Sequence, residues 1–191
     1  MTEKEKAALG LLYNNNYDKE LIEERLDCQT MCHEYNQLPP REMGKRQKLI
    51  RQILGDIGDG FQIEQPFHCD FGYNIHIGKN FYANYNFVVL DEAPVTIGEY
   101  VFIAPDCGLY TAGHPINASK RNEGLEYAKP ITIGNHVWLG GGVKVMPGIT
   151  IGNNVVIGSG SIVTKDIPDG VVAAGNPCKI IRKIDEKDRE M

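Results

Sequence analysis

The sequence predicts a mainly β fold: a parallel β-helix of six-residue repeats, with a helical segment in front of it and one extruded loop. Three observations predict it. From Val95 the chain reads VTIGEY, VFIAPD, CGLYTA, and from Ile131 it reads ITIGNH, VWLGGG, VKVMPG, ITIGNN, VVIGSG, SIVTKD. The third position of every hexad is aliphatic: Ile97, Ile103, Leu109, Ile133, Leu139, Val145, Ile151, Ile157 and Val163. The register breaks once, over residues 113–130, and resumes in phase.

A six-residue period matches no helix and is too regular for hairpins. It matches a solenoid of short strands joined by sharp corners. Residues two apart on a strand share a face, so the first and third positions of a hexad both point inward. The follower is mostly small (Gly98, Ala104, Gly134, Gly140, Gly152, Gly158), which lets the chain turn where a Cβ would clash or require positive φ. Three hexads make one triangular coil. Ile97, Ile133 and Ile151 then form one column, Ile103, Leu139 and Ile157 a second, and Leu109, Val145 and Val163 a third. The third column is followed by Tyr110, Met146 and Thr164 instead of small residues, so ligand contact is expected at that corner. Upstream, Ile77, Ala83 and Val89 continue the pattern, the step to Ile97 carries two extra residues, and 61–73 reads as an irregular opening coil.

Residues 1–56 read as helical. Thr2 and Glu5 form a capping box, and Asp18 caps a second helix with Leu21, Ile22, Leu26 and Tyr35 on or near one face. A third helix is expected from Pro40 to Leu54 with Gly55 as its C-cap, and the helices should cover the open end of the prism. The β-helix spans 57–167, and 168–191 reads as a tail that turns at Pro168 and Pro177 and ends in a charged helical stretch.

The length of 191 residues fits one domain, and a net charge of -5 gives no general attraction to nucleic acid or anionic membrane. An anionic ligand would need a local basic cluster. No apolar run reaches the length of a membrane span, and the first residues carry no signal-peptide pattern. The five scattered cysteines point to reduced thiols and a cytoplasmic protein. Cys28 and Cys32, followed by His33, look like half a metal site with the second half missing, and read as small buried hydrophobes on a helix.

The broken coil, GHPINASKRNEGLEYAKP, cannot fill a column, because its inward slots would be Pro115, Arg121 and Tyr127. It is expected to leave the prism as a functional loop with His114 at its root. NIHIGKNFYANYN, TAGHP, KPITIGNHVWLG, PGITIG, GSGSIVTKDIP and VVAAGNPCKIIR together resemble the maltose and galactoside O-acetyltransferase family over nearly the whole chain. The resemblance implies a left-handed β-helix, acetyl-CoA as co-substrate, and direct attack of a sugar hydroxyl on the thioester. The family's catalytic histidine corresponds to His114, whose imidazole titrates close enough to neutrality to take the hydroxyl proton. Cys107 lies on the coil without a paired base and offers no covalent route.

The resemblance, together with the loop's own residues, supplies candidates for the rest of the site. Asn84 matches an acceptor-binding asparagine, with Tyr82 two residues before it. Asp70 stands where the galactoside enzyme has serine, Glu92 where it has aspartate, and Asn14 or Asn15 where it has an acidic residue. Glu126 is a candidate to orient His114 from the far imidazole nitrogen. Gly141 takes the oxyanion-donor position, where a backbone N–H serves as well as the family's serine. On the CoA side stand Trp138, Ser159, Thr164, Lys165, Lys179 and Arg182, the cations supplying charge for phosphate. Relatives of this fold include zinc enzymes with three histidines, but His76, His114 and His136 lack that spacing, so no metal is expected. The family is trimeric with sites between neighbours, which implies a homotrimer. Two rivals stand beside sugar O-acetylation: transfer to another hydroxyl or an amino group, and a β-helix binding protein without catalysis.

Overall fold

The computed structural model describes residues 1–190, with side chains through Asp188. Short strands wind into a three-sided prism. Face one stacks Asp56–Ile57, Ile75–Ile77, Val95–Ile97, Ile131–Ile133 and Thr150–Ile151. Face two stacks Gln62–Ile63, Tyr82–Ala83, Phe102–Ile103, Trp138–Leu139, Val156–Ile157 and Val171–Ala174. Face three stacks Phe67–Cys69, Phe87–Leu90, Gly108–Tyr110, Lys144–Val145 and Ile162–Val163.

The three aliphatic columns stand in register. Ile133 lies opposite both Ile97 and Ile151, Leu139 opposite Ile103 and Ile157, and Val145 opposite Leu109 and Val163. All nine are buried in one continuous core. Each fully buried aliphatic contributes about 1.5–3 kcal/mol, so the columns dominate the stability of the prism.

The corner glycines act through close approach and not through positive φ. A Cβ on Gly78, Gly98 or Gly134 would stand 2.7–2.8 Å from the backbone of the next coil's glycine. Positive φ falls two residues later, on Asn80, Tyr100, His136 and Asn154.

The opening coil is regular and starts earlier than 61–73. Ile57, Ile63 and Cys69 stand opposite Ile77, Ala83 and Val89. A cysteine in an aliphatic slot and an eight-residue step to Ile77 hide it in the sequence. The same step recurs between Val89 and Ile97. Both insertions, and the extruded loop, leave from the edge between faces three and one. The loop is an antiparallel arm, with Ala112–Gly113 paired to Tyr127–Ala128 and a short helix over Ala118–Asn122.

Three helices precede the prism: α1 (Glu3–Ala8), α2 (Lys19–Gln37) and α3 (Met43–Ile53). Thr2 and Glu5 make the capping box, and the Asp18 carboxylate accepts the Leu21 N–H. Two helical expectations need correction. The third helix starts at Met43, not Pro40, and Leu54 leaves it extended, so Gly55 is no left-handed cap. Glycine is needed at 55 because a Cβ there would meet the Tyr73 carbonyl oxygen at 2.2 Å. The inner face of α2 is Leu21, Cys28, Cys32 and Tyr35, while Leu26 faces solvent.

The helices close the first coil. Asn36 both donates to the Phe67 carbonyl and accepts its N–H, each at 2.9 Å, which satisfies a strand edge that has no coil beneath it. Arg46 donates to the Ile63 carbonyl at 2.8 Å and pairs with Glu64 at 3.0 Å. At the other end, the residues read as a tail extend the prism. Ala173 stacks on Ile157, and Lys179–Lys183 folds back antiparallel on Val171–Ala174. A 3-10 turn follows over Glu186–Glu190.

Candidate active site

The site residues expected from sequence fall on two different edges of one prism. Asp70, Glu92, His114 and Glu126 gather at the edge between faces three and one, where the insertions leave. Tyr82 and Trp138 lie on face two, and Asn84, Gly141 and Ser159 follow face-two strands at the edge between faces two and three. Tyr82, Asn84 and Trp138 together line an open cleft of about 440 Å³ with Phe102, Ile103 and Ala104.

His114 is half exposed at the root of the arm. Its Nδ1 lies 3.1 Å from the Leu125 carbonyl oxygen. A carbonyl can only accept, so the contact places the proton of the neutral ring on Nδ1 and leaves Nε2 as the acceptor. Glu126 Oε1 stands 3.9 Å from Nε2. Glu126 therefore does not hold the far nitrogen as expected: a backbone carbonyl holds Nδ1, and the carboxylate stands on the Nε2 side. Glu126 is buried and accepts from Asn15 Nδ2 at 3.2 Å and Asn16 Nδ2 at 2.9 Å.

The two asparagines expected from the sequence differ in what they reach. Asn15 is buried and reaches Glu126, whereas Asn14 donates to the Glu123 carbonyl at 3.3 Å. The main chains of Tyr13 and Glu126 exchange hydrogen bonds of 3.0 and 2.9 Å, so residues 13–16 staple the arm to the edge of the prism. Tyr13, Asn16 and Leu125 were missed in the sequence, since nothing in LLYNNNYD signals contact with a loop more than a hundred residues away.

Asp91, also missed, anchors the backbone at Asp70. It is buried, and its Oδ1 accepts the Asp70 and Phe71 N–H groups at 3.0 and 2.9 Å. Burial pushes its pKa up to about 6. Burial, reinforced by the neighbouring Asp70, pushes Glu92 up to about 9 and favours its neutral form. Burial also raises the Tyr13 hydroxyl, with Glu92 adding to the effect. The Tyr13 hydroxyl, Asn15 Oδ1 and Asp91 Oδ2 are buried without a hydrogen-bond partner among the described residues. Such orphans are costly unless a ligand or water meets them. Tyr13 and Glu92 line a cavity of about 380 Å³ with Phe71, Asn74 and Ala128.

At the second edge, Gly140 donates to Ile157 and Gly142 to Pro105, both at 2.8 Å, whereas the Gly141 N–H meets no acceptor among the described residues. A Cβ at Gly141 would meet only the Pro105 carbonyl, at 3.6 Å. Ser159 is exposed at the same edge, one coil on. Thr164 and Lys165 are exposed on the first edge beyond the arm, and Lys179 is exposed on the final hairpin. Arg182 is paired bidentately with Asp188 at 2.7 and 2.6 Å, which occupies its guanidinium. Cys107 is buried, its thiol raised by burial and directed at the Gly140 carbonyl at 3.2 Å. His136 serves as a positive-φ corner stacked on Tyr100, with ring centroids 5.2 Å apart.

Comparison with known proteins agrees with this architecture. Residues 6–58 match the maltose acetyltransferase hexapeptide capping motif, and 130–165 match the bacterial transferase hexapeptide repeats. The chain is 56% identical to a putative acetyltransferase of Saccharomyces cerevisiae, covering 94% of this chain and 91% of the relative. It is 47% identical to the galactoside O-acetyltransferase of Escherichia coli, covering 99% and 92%. A maltose O-acetyltransferase structure from Clostridium difficile superposes with a TM-score of 0.95 at 50% identity, covering 97% and 99%. A galactoside acetyltransferase in complex with coenzyme A superposes at 0.96 and 46% identity, covering 99% and 94%. The chain belongs to the maltose and galactoside O-acetyltransferase family of hexapeptide-repeat acyltransferases.

Proposed function

We propose that the protein transfers the acetyl group of acetyl-CoA to a hydroxyl of a sugar, with His114 Nε2 as general base. The observation that carries this reading is the His114 contact with Leu125, which leaves an accepting nitrogen beside a buried carboxylate. The acceptor hydroxyl gives its proton to Nε2 as its oxygen attacks the thioester carbonyl. Glu126 then faces the imidazolium and stabilises it, without itself being protonated. The oxyanion takes the free Gly141 N–H. Collapse expels the CoA thiolate, which recovers the proton from His114.

A polyhydroxyl acceptor suits the Tyr13 hydroxyl and the Glu92 carboxyl, which line the same cavity. The CoA side falls to Trp138, Ser159, Thr164, Lys165 and Lys179. Because His114 and Gly141 stand on different edges of one prism, the complete site forms between neighbouring chains of a homotrimer. The exposed Phe102 and Trp138 on face two, and Ile116, 97% exposed on the arm, are apolar surfaces that such packing would cover. Among the described residues no helix is long and apolar enough to cross a membrane, and the reading places the protein in the cytoplasm.

The test is acetyl-CoA consumption over a panel of glucose, maltose, galactosides and amino sugars. Turnover with neutral sugars supports the proposal. Turnover only with amino sugars, or with none, overturns the sugar-hydroxyl assignment.

A further inference from the structure

The sequence reads Cys28 and Cys32 as small buried hydrophobes because the second half of a metal site is missing from it, but the fold brings a third thiol to them. The two are one helical turn apart on α2 and face the same side. Cys69 ends the first strand of face three, which the Asn36–Phe67 bonds hold against that helix. The Cys69 Sγ lies 3.5 Å from that of Cys28 and 3.7 Å from that of Cys32, and all three sulfurs fall within 4.8 Å of one another. All three are buried and reduced, and none belongs to the acetyl-transfer site.

We propose that Cys28, Cys32 and Cys69 form a three-thiolate site for a soft divalent cation such as Zn²⁺, clamping α2 to the first coil. Tetrahedral zinc at about 2.3 Å from each sulfur sets S···S edges of about 3.8 Å, so the two edges need to open by only a few tenths of an ångström. Three protein ligands leave a fourth position. Cys28 lines a cleft of about 450 Å³ whose wall carries Glu24 and Asp27, an acidic route for a cation, with Lys4 offsetting Glu24 through a 2.7 Å pair.

Binding is simple exchange: each thiol entering the coordination shell gives its proton to solvent, and no oxidant is needed.

The experiment titrates reduced, chelator-stripped full-length protein with Cd²⁺ as a spectroscopic probe and with Zn²⁺. The expected result is one ion per chain, a thiolate-to-cadmium absorption band, two to three protons released per ion, and a raised Tm. Cys32→Ala and Cys69→Ala should each abolish the band, and the Cys107→Ala/Cys178→Ala double variant should keep it. The proposal is overturned if wild-type protein takes up no stoichiometric ion, if uptake releases no protons, or if the band persists in folded Cys32→Ala. Recovery of a Cys28–Cys69 disulfide together with no uptake by the reduced protein overturns it equally. Proton release is read on the wild type, so the test stands even where a cysteine variant fails to fold.

Discussion

The His114 Nδ1 and the Leu125 carbonyl oxygen lie 3.1 Å apart, and this contact fixes which nitrogen of the ring can act as a base. A base set in this way is expected to supply about 10²–10⁴-fold of the rate. His114→Ala should therefore lose that factor in kcat while leaving the Tm within about a degree, because the ring is half exposed and fills no core. Near-wild-type turnover by the variant removes His114 from the mechanism.

In the proposed mechanism Glu126 acts after proton transfer, when the ring is charged. Glu126→Gln keeps an acceptor for Asn15 or Asn16 and removes the charge. It should lower kcat by about tenfold with little change in KM for acetyl-CoA, the mark of an interaction made mainly in the transition state. A change confined to KM would place Glu126 in binding alone.

Gly141 and Gly134 make opposite predictions for the same substitution. Gly141→Ala keeps its N–H and meets nothing closer than 3.6 Å, so fold and activity should persist. Gly134→Ala puts a methyl 2.8 Å from the next coil's backbone and should cost about 1–3 kcal/mol, measured by denaturant unfolding. Gly141→Pro, which removes the donor, should cost about 10²–10³-fold in kcat if this N–H meets the oxyanion. Full activity in a folded Gly141→Pro variant excludes that role.

Glu92 links stability to pH. Its carboxyl titrates near 9 in the folded chain, against 4.5 as the ordinary value. Between these the folded state holds a proton that the unfolded state has released, so stability falls as pH rises through that window. Asp91, raised to about 6, adds loss of the same sign from 3.8 upward. The Tm should drop between pH 5 and pH 9, and Glu92→Gln should flatten the fall. An equal slope in both proteins contradicts the buried neutral carboxyl.

The columns were legible in the sequence because nine aliphatics in nine slots leave little choice of register. The opening coil was not, because Cys69 occupies an aliphatic slot and the corner insertions shift the phase by two. The roles of Tyr13, Asn15 and Asp91 depend on chain segments that meet only through the fold. Nor could spacing show that the far nitrogen of His114 goes to a carbonyl and not to Glu126. The trio of thiols was hidden for the same reason, with its third member on a strand remote in sequence from the helix.

The central claim, a base on one edge completed by groups on the other edge of a neighbouring chain, is tested most directly by mixing two inactive variants. His114→Ala lacks the first edge and Asn84→Ala the second. If a homotrimer shares its sites between neighbours, the two unfolded and refolded together should recover about a quarter of wild-type sites, since each site would draw one residue from each of two chains. Activity no greater than that of the two parents measured separately would contradict shared sites.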